Sequence, residues 1–137
     1  MRKLLLSAAI MLSALCCLAQ NGITTWKYSI EKTAGDTVKV VFTGNIAMGY
    51  HTYSIKDDKA PTEFFDVELE GAETVGEVYE TLKSRLIEGR QAYEGRIQLV
   101  QKLRLTSGKA RYKGSIFTSS CRMGQCRGEY FDFDIEI

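Results

Sequence analysis

Two cysteines separated by four residues stand near the end of the chain, in the run Ser120-Cys121-Arg122-Met123-Gly124-Gln125-Cys126-Arg127. A close pair of this kind either forms a structural disulfide or exchanges electrons with other thiols as a redox centre. An arginine follows each cysteine, and a neighbouring cation favours the thiolate that attacks and leaves in disulfide exchange. Two solvated turn arginines are the alternative interpretation, so the residue types alone leave both functions open.

The first nineteen residues have the pattern of a secretory signal peptide. Arg2 and Lys3 are followed by an uncharged apolar or small stretch, residues 4–18, and small residues end at Ala19. The stretch is shorter than the roughly 20 residues of a membrane-spanning helix. We therefore expect a signal peptide at residues 1–19, export of the chain and a mature domain at residues 20–137.

The other two cysteines, Cys16 and Cys17, lie inside this leader and would leave with it. A lipoprotein cut at one of them is the alternative, although Leu15 is bulky for the position before a lipidated cysteine. Removal of the leader makes Cys121 and Cys126 the remaining sulfhydryls of a chain in an oxidising or redox-managed compartment.

Size and charge describe one ordinary domain. The whole chain has 18 Lys and Arg against 17 Asp and Glu, and the leader takes two basic residues and no acidic one. The near-neutral remainder lacks a basic run, which argues against a nucleic-acid partner. About 118 residues are enough to bury a core without several disulfides, so the fold does not require the cysteine pair.

Polar and apolar residues alternate along most of the mature chain, which is typical of strands with one buried face. The sets that share one side of a strand are Trp26, Tyr28, Ile30; Val38, Val40, Phe42; His51, Tyr53, Ile55; Phe65, Val67, Leu69; Ile97, Leu99, Gln101, Leu103, Leu105; Ala110, Tyr112, Gly114, Ile116; and Phe131, Phe133, Ile135, Ile137. Turn signals separate these sets, and only residues 77–88 are expected to be irregular or briefly helical. The sequence predicts an all-β, immunoglobulin-like antiparallel sandwich of seven to nine strands.

The cysteine pair is expected at a hairpin whose turn is residues 122–125, where Gly124 accepts a positive φ. Facing residues on antiparallel strands lie about 4.5–5.5 Å apart, which suits a disulfide. Closing a six-residue loop stabilises the fold by only about 2 kcal/mol, which fits a bridge that opens and closes better than a staple.

The order of landmarks resembles the N-terminal periplasmic domain of the thiol:disulfide interchange protein DsbD. The landmarks are a strand led by Trp26, the strand 38–42, the run Gly49-Tyr50-His51-Thr52-Tyr53-Ser54, Ala60-Pro61-Thr62, Tyr93-Glu94-Gly95, and Gly114 before the cysteine pair. The match spans essentially the whole mature chain, and it depends on the ordered set more than on any one motif.

The resemblance implies an immunoglobulin-like domain whose cysteine pair passes reducing equivalents. It implies a thioredoxin-like donor served by a membrane electron carrier, and periplasmic disulfide oxidoreductases as acceptors. Carried onto this chain, Cys126 is the sulfur that forms the mixed disulfide and Cys121 resolves it. A loop with an aromatic tip would cap the pair between Gly71 and Tyr93, with Tyr79 as the expected tip.

Two departures from the family pattern limit the transfer. Arg127-Gly128 stands where prolines usually follow the second cysteine, so a looser backbone is expected there. The sequence contains no membrane helices or thioredoxin-like module after the domain, so we expect either that separate proteins supply the electrons or that this copy has another role.

Other residues have weaker claims to chemistry. His51, the single histidine, is interpreted as a packed or hydrogen-bonded strand residue, since exchange needs no dedicated base once a thiolate forms. His51, Cys121, Cys126 and Met123 could together form a soft Cu(I) site, although we expect no metal or other cofactor. The prediction is a thiol–disulfide exchange domain, with a non-catalytic immunoglobulin-like binding module stapled by the disulfide as the alternative.

Overall fold

The computed structural model describes residues 22–137, so the expected signal peptide, Cys16 and Cys17 lie outside the described residues. The described part contains ten strands and no helix, and therefore no helix that could cross a bilayer. The strands are β1 (Thr24–Lys32), β2 (Thr37–Ile46), β3 (His51–Tyr53), β4 (Glu63–Glu70), β5 (Ala72–Glu80), β6 (Arg85–Ile87), β7 (Arg90–Tyr93), β8 (Arg96–Leu105), β9 (Arg111–Arg122) and β10 (Gln125–Glu136).

The strands form two antiparallel sheets that pack face to face. The four-stranded sheet has the order β1-β2-β8-β5. The six-stranded sheet has the order β10-β9-β3-β7-β6, with β4 pairing to the first half of β9 and β3 to its end. This confirms the immunoglobulin-like sandwich, and three strands of only three or four residues bring the count to ten instead of seven to nine.

The core between the sheets comes from the alternating strands that the sequence predicts. In β8, Ile97, Leu99 and Leu103 are fully buried, and Gln101 on the same side is buried with its amide donating to the Gly76 carbonyl. The rings of Phe42, Tyr112 and Phe133 meet across the sheets, with Phe42 and Phe133 centroids 4.8 Å apart. Side chains of this kind stabilise the sandwich by removing apolar area from water.

Strand β4 faces the opposite way from the predicted alternation. Phe64 and Leu69 pack against the core, whereas Phe65 and Val67 are 38% and 42% exposed. The five-residue spacing of the two inward residues requires one extra residue, and the register shifts between Phe65 and Glu68. Asp66 has a φ of 53° in this bulge. Simple period-two counting misses such an insertion.

The prediction of an irregular or helical segment at residues 77–88 is wrong for most of its length, and only residues 81–84 and 88 lie outside strands. Residues 72–80 form β5, which pairs with β8 at the edge of the four-stranded sheet, and residues 85–87 form β6. The register of β5 shifts between Val75 and Tyr79, with Gly76 at a φ of 73°. This interruption removes the alternation that would mark a strand in the sequence.

Candidate functional site

A disulfide joins Cys121 and Cys126 at the closed end of the β9–β10 hairpin. The two residues face each other in the ladder with Cα atoms 4.0 Å apart. Met123 and Gly124 both have positive φ, 50° and 79°, as a two-residue turn that matches the twist of its strands requires. The predicted turn and the facing positions of the two cysteines are confirmed.

The two sulfurs differ in their access to solvent. Cys121 is 2% exposed and packs against Tyr53 and Ala92, whereas Cys126 is exposed. Both side chains lie on the outer face of the six-stranded sheet, since residues 112, 116, 118 and 120 alternate with Cys121 and point toward the interior. A thiolate from another molecule can therefore approach the sulfur of Cys126, with the sulfur of Cys121 behind it.

The hydroxyl of Tyr53 lies 3.2 Å from the sulfur of Cys121. A disulfide sulfur carries no proton, so the tyrosine hydroxyl is the donor in this contact. Tyr53 is 4% exposed, which keeps the contact away from competing water. A hydrogen bond to sulfur becomes stronger as negative charge develops there, so the hydroxyl is placed to stabilise a thiolate at Cys121.

A buried ion pair holds the ring of Tyr53 from the other side. The guanidinium carbon of Arg90 lies 3.6 Å from the Tyr53 ring centroid, and Arg90 donates two hydrogen bonds to the Asp57 carboxylate at 3.0 and 2.5 Å. The Asp57 side chain is 1% exposed and also accepts from the backbone N–H groups of Lys59 and Ala60. These hydrogen bonds, with that from Arg90 largest, hold the pKa of Asp57 well below its usual range despite burial, and the same hydrogen bond raises the pKa of Arg90.

The β6–β7 hairpin contributes side chains beside the buried sulfur. Ala92 of β7 and Ile87 of β6 pack into the cluster of Tyr53 and Cys121, as does Ala60 from the segment before β4. This hairpin lies between Gly71 and Tyr93, but it belongs to the same sheet as β9, and its turn carries Glu88 and Gly89 instead of an aromatic residue. Tyr79 is not a loop tip, because it lies in β5 and pairs with Val100 of β8 in the four-stranded sheet.

Buried hydroxyls support the same end of β9 from inside the sandwich. The hydroxyl of Thr52 lies 2.8 Å from that of Ser120 and 2.9 Å from that of Thr24 on the facing sheet. The carboxylate of Glu129 accepts the backbone N–H groups of Ile23 and Thr24, which ties the start of β1 to β10. The end of the sandwich near the disulfide is thus joined by directional hydrogen bonds where the rest of the core has apolar contacts.

His51 lies in β3 directly opposite Cys121 of β9. It is 8% exposed, its ring meets the Tyr53 ring edge-on at 5.5 Å, and its Nε2 is buried without a hydrogen-bond partner among the described residues. The expectation of a packed strand residue is confirmed. Met123, the other member of the Cu(I) alternative, is 89% exposed at the turn. Within residues 22–137, no three His, Cys, Asp or Glu side chains are grouped as metal ligands.

The arginines that follow the cysteines are both exposed, as the solvated alternative expects. Arg122 lies over the ring of Tyr50, 5.6 Å from its centroid. Arg127 and Gly128 pair with Ser120 and Ser119 in the regular ladder, so the strand continues without interruption after the second cysteine.

Sequence reasoning missed Asp57 and Arg90. Asp57 stood in an Asp-Asp-Lys run typical of a solvent-exposed turn, and Arg90 stood in a segment without clear alternation. One signal was available, since an aspartate two or three residues before Ala60-Pro61 can accept backbone N–H groups in a tight turn. Nothing in the sequence connects that turn with Arg90, 33 positions later.

Comparisons with known proteins find likeness in structure and none in sequence. No family model and no curated protein sequence matches the chain. The N-terminal periplasmic domain of ScsB from Proteus mirabilis superposes with a TM-score of 0.58 at 15% identity, covering 84% of this chain and 47% of that one. This chain thus spans about half the length of that structure.

Two further solved structures are more distant. The GAE domain of GGA2p from Saccharomyces cerevisiae has a TM-score of 0.48 at 7% identity, with 85% of this chain and 91% of that chain covered. The N-terminal domain of DsbD from Neisseria meningitidis, in the reduced form, has a TM-score of 0.36 at 20% identity, with 80% and 83% covered. The first comparison carries the conclusion: residues 22–137 share the fold of about half of the N-terminal periplasmic domain of ScsB, which confirms, for the fold, the kind of domain that the sequence resembles.

Proposed function

We propose that this chain is a periplasmic thiol–disulfide exchange domain that passes reducing equivalents through Cys121 and Cys126. A thioredoxin-like protein is the donor, and periplasmic disulfide oxidoreductases are the acceptors. In enzymatic terms the domain is one component of a protein-disulfide reductase. The location follows the predicted signal peptide, and the structurally similar domain of ScsB is itself periplasmic.

One observation carries the proposal, namely the unequal exposure of the two sulfurs. Exchange requires an incoming thiolate to reach one sulfur in line with the bond to the other. The exposed Cys126 provides the point of attack, and Cys121, 2% exposed, is the leaving sulfur. This assignment agrees with the roles that the sequence resemblance implies.

The chemistry proceeds in four transfers. The donor thiolate attacks the sulfur of Cys126, the Cys121–Cys126 bond breaks, and Cys121 leaves as a thiolate. The second thiol of the donor then displaces Cys126, which leaves this domain as a dithiol and the donor as a disulfide. Next, the Cys126 thiolate attacks the disulfide of the acceptor, and Cys121 finally displaces the acceptor, restoring the bridge and transferring two electrons.

The surroundings of Cys121 support its role as leaving group. A thiolate formed in a buried position is unfavourable unless a donor meets it. Tyr53 supplies that donor at 3.2 Å, and the guanidinium of Arg90, itself paired with Asp57, supports the Tyr53 ring on its other side. An inert staple gains nothing from such an arrangement, because its sulfurs stay uncharged.

Trapping tests the proposal directly. The Cys121→Ser variant leaves Cys126 without its resolving partner, so a thioredoxin-like protein should remain attached to Cys126 as a mixed disulfide. The trapped species is measured as a thiol-sensitive adduct by mass spectrometry. The matched control is Cys126→Ser, which should trap far less because its remaining cysteine is buried.

The stapled binding module remains the second candidate, favoured by the exposed aromatic group Phe65, Phe117 and Tyr130 on the same face. Redox titration against glutathione separates the two. An exchange domain should have a reduction potential well above about −300 mV, and a structural disulfide should lie below that value. Failure to trap any partner, together with normal folding and function of the Cys121→Ser/Cys126→Ser variant, would exclude the exchange function.

A further inference from the structure

The outer face of the six-stranded sheet holds three side chains of reactive type in one row. Cys126 on β10 faces Cys121 on β9, and Cys121 in turn faces His51 on β3. Directly opposed residues on antiparallel strands point to the same side, with Cβ atoms about 4.5–5.5 Å apart. His51 therefore adjoins Cys121 on the side away from Cys126.

The Nε2 atom of His51 is buried and has no hydrogen-bond partner in the described structure. Unpaired buried polar atoms are rare in native proteins, and each one requires an explanation. In the disulfide form the neighbouring sulfur has neither a proton to donate nor a negative charge to accept one. Reduction changes this, since a Cys121 thiol can donate to Nε2 and a Cys121 thiolate can accept from it. Reduction would therefore offer Nε2 of His51 a partner that the disulfide cannot provide.

The polar groups around His51 do not satisfy this atom. On its own strand, Tyr53 contacts the imidazole through its ring and directs its hydroxyl to Cys121. The nearby charges engage other groups: Arg90 of β7 pairs with Asp57, and Arg122 of β9 lies over Tyr50. Glu94, which follows the β7 partner of Thr52, pairs with Arg85. Cys121 is thus the titratable group directly opposite the imidazole.

We infer that His51 is the proton acceptor for Cys121 in the step that releases the partner. This rests on the proposed function and adds a residue to its mechanism. In the mixed disulfide between Cys126 and a partner, Cys121 is a thiol, and it must lose its proton to attack. The proton moves from the sulfur of Cys121 to Nε2 of His51, and the Cys121–Cys126 bond forms. The bond from Cys126 to the partner breaks, and the partner sulfur leaves with the electron pair as a thiolate.

The reverse direction uses the same proton. When a donor thiolate attacks Cys126, Cys121 leaves with the electron pair of the disulfide, and the imidazolium of His51 returns the proton to it. The histidine thus acts on the buried sulfur, whereas the exposed Cys126 exchanges its proton with water. His51 should therefore affect resolution and leave the first attack by Cys126 unchanged.

The two steps separate in a reaction of the reduced protein with dithiobisnitrobenzoate, an aromatic disulfide that releases one coloured thiolate in each. The first release reports attack by Cys126, and the second reports its displacement by Cys121. His51→Gln should leave the first phase unchanged and slow the second by about tenfold or more near neutral pH, as loss of a general base predicts. The second phase of the variant should also recover as the pH rises, because hydroxide then removes the proton.

Tyr50→Phe is the matched control, since it alters the adjacent residue of the same strand segment and should leave both phases unchanged. An equal second phase in His51→Gln and wild type would overturn the role of His51. Because the reagent replaces the biological partner, this result does not depend on trapping. If Cys121→Ser traps a partner but His51→Gln reacts like wild type, only the role of His51 is rejected. If no partner is trapped but His51→Gln slows the second phase strongly, only the exchange function is rejected.

A second measurement keeps the inference testable if the variant folds poorly. His51 is the single histidine of the chain, so its ring signals in a proton NMR spectrum are unambiguous. The chemical shifts of these ring signals should differ between the oxidised and reduced wild-type protein, because the neighbouring sulfur gains a proton or a negative charge on reduction. Identical ring signals in the two redox states would show that His51 has no contact with the reduced Cys121.

Discussion

Two bidentate arginine–carboxylate pairs lie near opposite ends of the β9–β10 hairpin. At the closed end, Arg90 holds Asp57 beside the disulfide, and at the open end Arg111 holds Asp134. The donor–acceptor distances are alike, 2.5–3.0 Å in the first pair and 2.5–2.7 Å in the second. In both pairs the arginine hydrogen bond lowers the pKa of the carboxylate and raises that of the guanidinium.

The two ion pairs differ in their exposure to solvent. The side chains of Asp57 and Arg90 are 1% and 25% exposed, whereas those of Asp134 and Arg111 are 49% and 48% exposed. Water replaces most of what an exposed pair provides, but nothing replaces a partner lost from a buried one. The buried pair also supports the ring of Tyr53 and, through it, the hydroxyl at Cys121. Two ion pairs of similar geometry therefore differ in effect: the pair at the closed end stabilises the fold and supports Tyr53, and the pair at the open end contributes little.

The largest expected effect comes from removing one charge at the closed end. Asp57→Asn leaves Arg90, three-quarters buried, without its counter-ion, and should lower the free energy of unfolding by about 3 kcal/mol. Asp134→Asn makes the same chemical change at the open end and should produce no resolvable loss. Urea unfolding of the oxidised proteins measures both. Equal losses in the two variants would contradict the distinction between the ends.

The stability that Asp57 contributes depends on pH, and its pKa gives the direction of that dependence. The folded pKa of Asp57 lies well below the roughly 3.9 of an unfolded aspartate. A depressed folded pKa contributes stability that is complete above the unfolded pKa and is lost as the pH falls toward the folded value. The difference between wild type and Asp57→Asn should therefore be constant near neutral pH and shrink below about pH 4. A gap that grows in acid would contradict this sign.

The disulfide at the closed end should contribute less to the free energy of unfolding than the buried ion pair does. Cys121→Ser/Cys126→Ser opens a loop of six residues, for which chain entropy predicts a loss of about 2 kcal/mol. The reference is the reduced wild-type protein, which lacks the bridge but keeps the residues, and it should show a similar loss by urea unfolding. A loss well above that of Asp57→Asn would favour the stapled binding module, because the bridge would then be the main support of this end.

Much of the sandwich follows from alternation that one chain shows by itself. The inward residues of β2, β8, β9 and β10 were predictable because each strand is long and unbroken and has one buried face. The turn at Met123-Gly124 was predictable because a glycine lies between facing cysteines. The bulges at Asp66 and Gly76 were not, since an inserted residue shifts the phase of the pattern without leaving a signal of its own.

The candidate site also has a part that the sequence predicts and a part that only the fold reveals. The cysteine pair is visible in the sequence because its members are close along the chain. The support of Cys121 comes from three separate segments, with Tyr53 on β3, Asp57 in the following turn and Arg90 on β7. Their association depends on the pairing of β3 with both β7 and β9, which is a property of the fold. Residue types at short spacing reveal the reactive atoms, and only the topology reveals what surrounds them.

The smallest expected effect isolates the hydroxyl that links the buried pair to the chemistry. Tyr53→Phe keeps the ring against Arg90 and removes the donor at Cys121. A hydrogen bond to a charged group contributes about 1.5 kcal/mol or more, so Cys121 should become a poorer leaving thiolate and reduction of the disulfide by glutathione should slow about tenfold. Stability should change little, because the ring remains packed.

The matched control removes a tyrosine hydroxyl on the same face of the hairpin, away from the sulfurs. Tyr130 is 67% exposed and packs on Phe117, so Tyr130→Phe should react with glutathione at the wild-type rate. The reduction rates of wild type, Tyr53→Phe and Tyr130→Phe are measured by stopping each reaction at intervals and alkylating the free thiols. If Tyr53→Phe matched the control, the 3.2 Å contact would be packing alone, and the closed end of the hairpin would differ from the open end in stability but not in chemistry. A slow Tyr53→Phe beside a normal Tyr130→Phe would instead connect the buried ion pair, the tyrosine and the leaving sulfur as one functional unit.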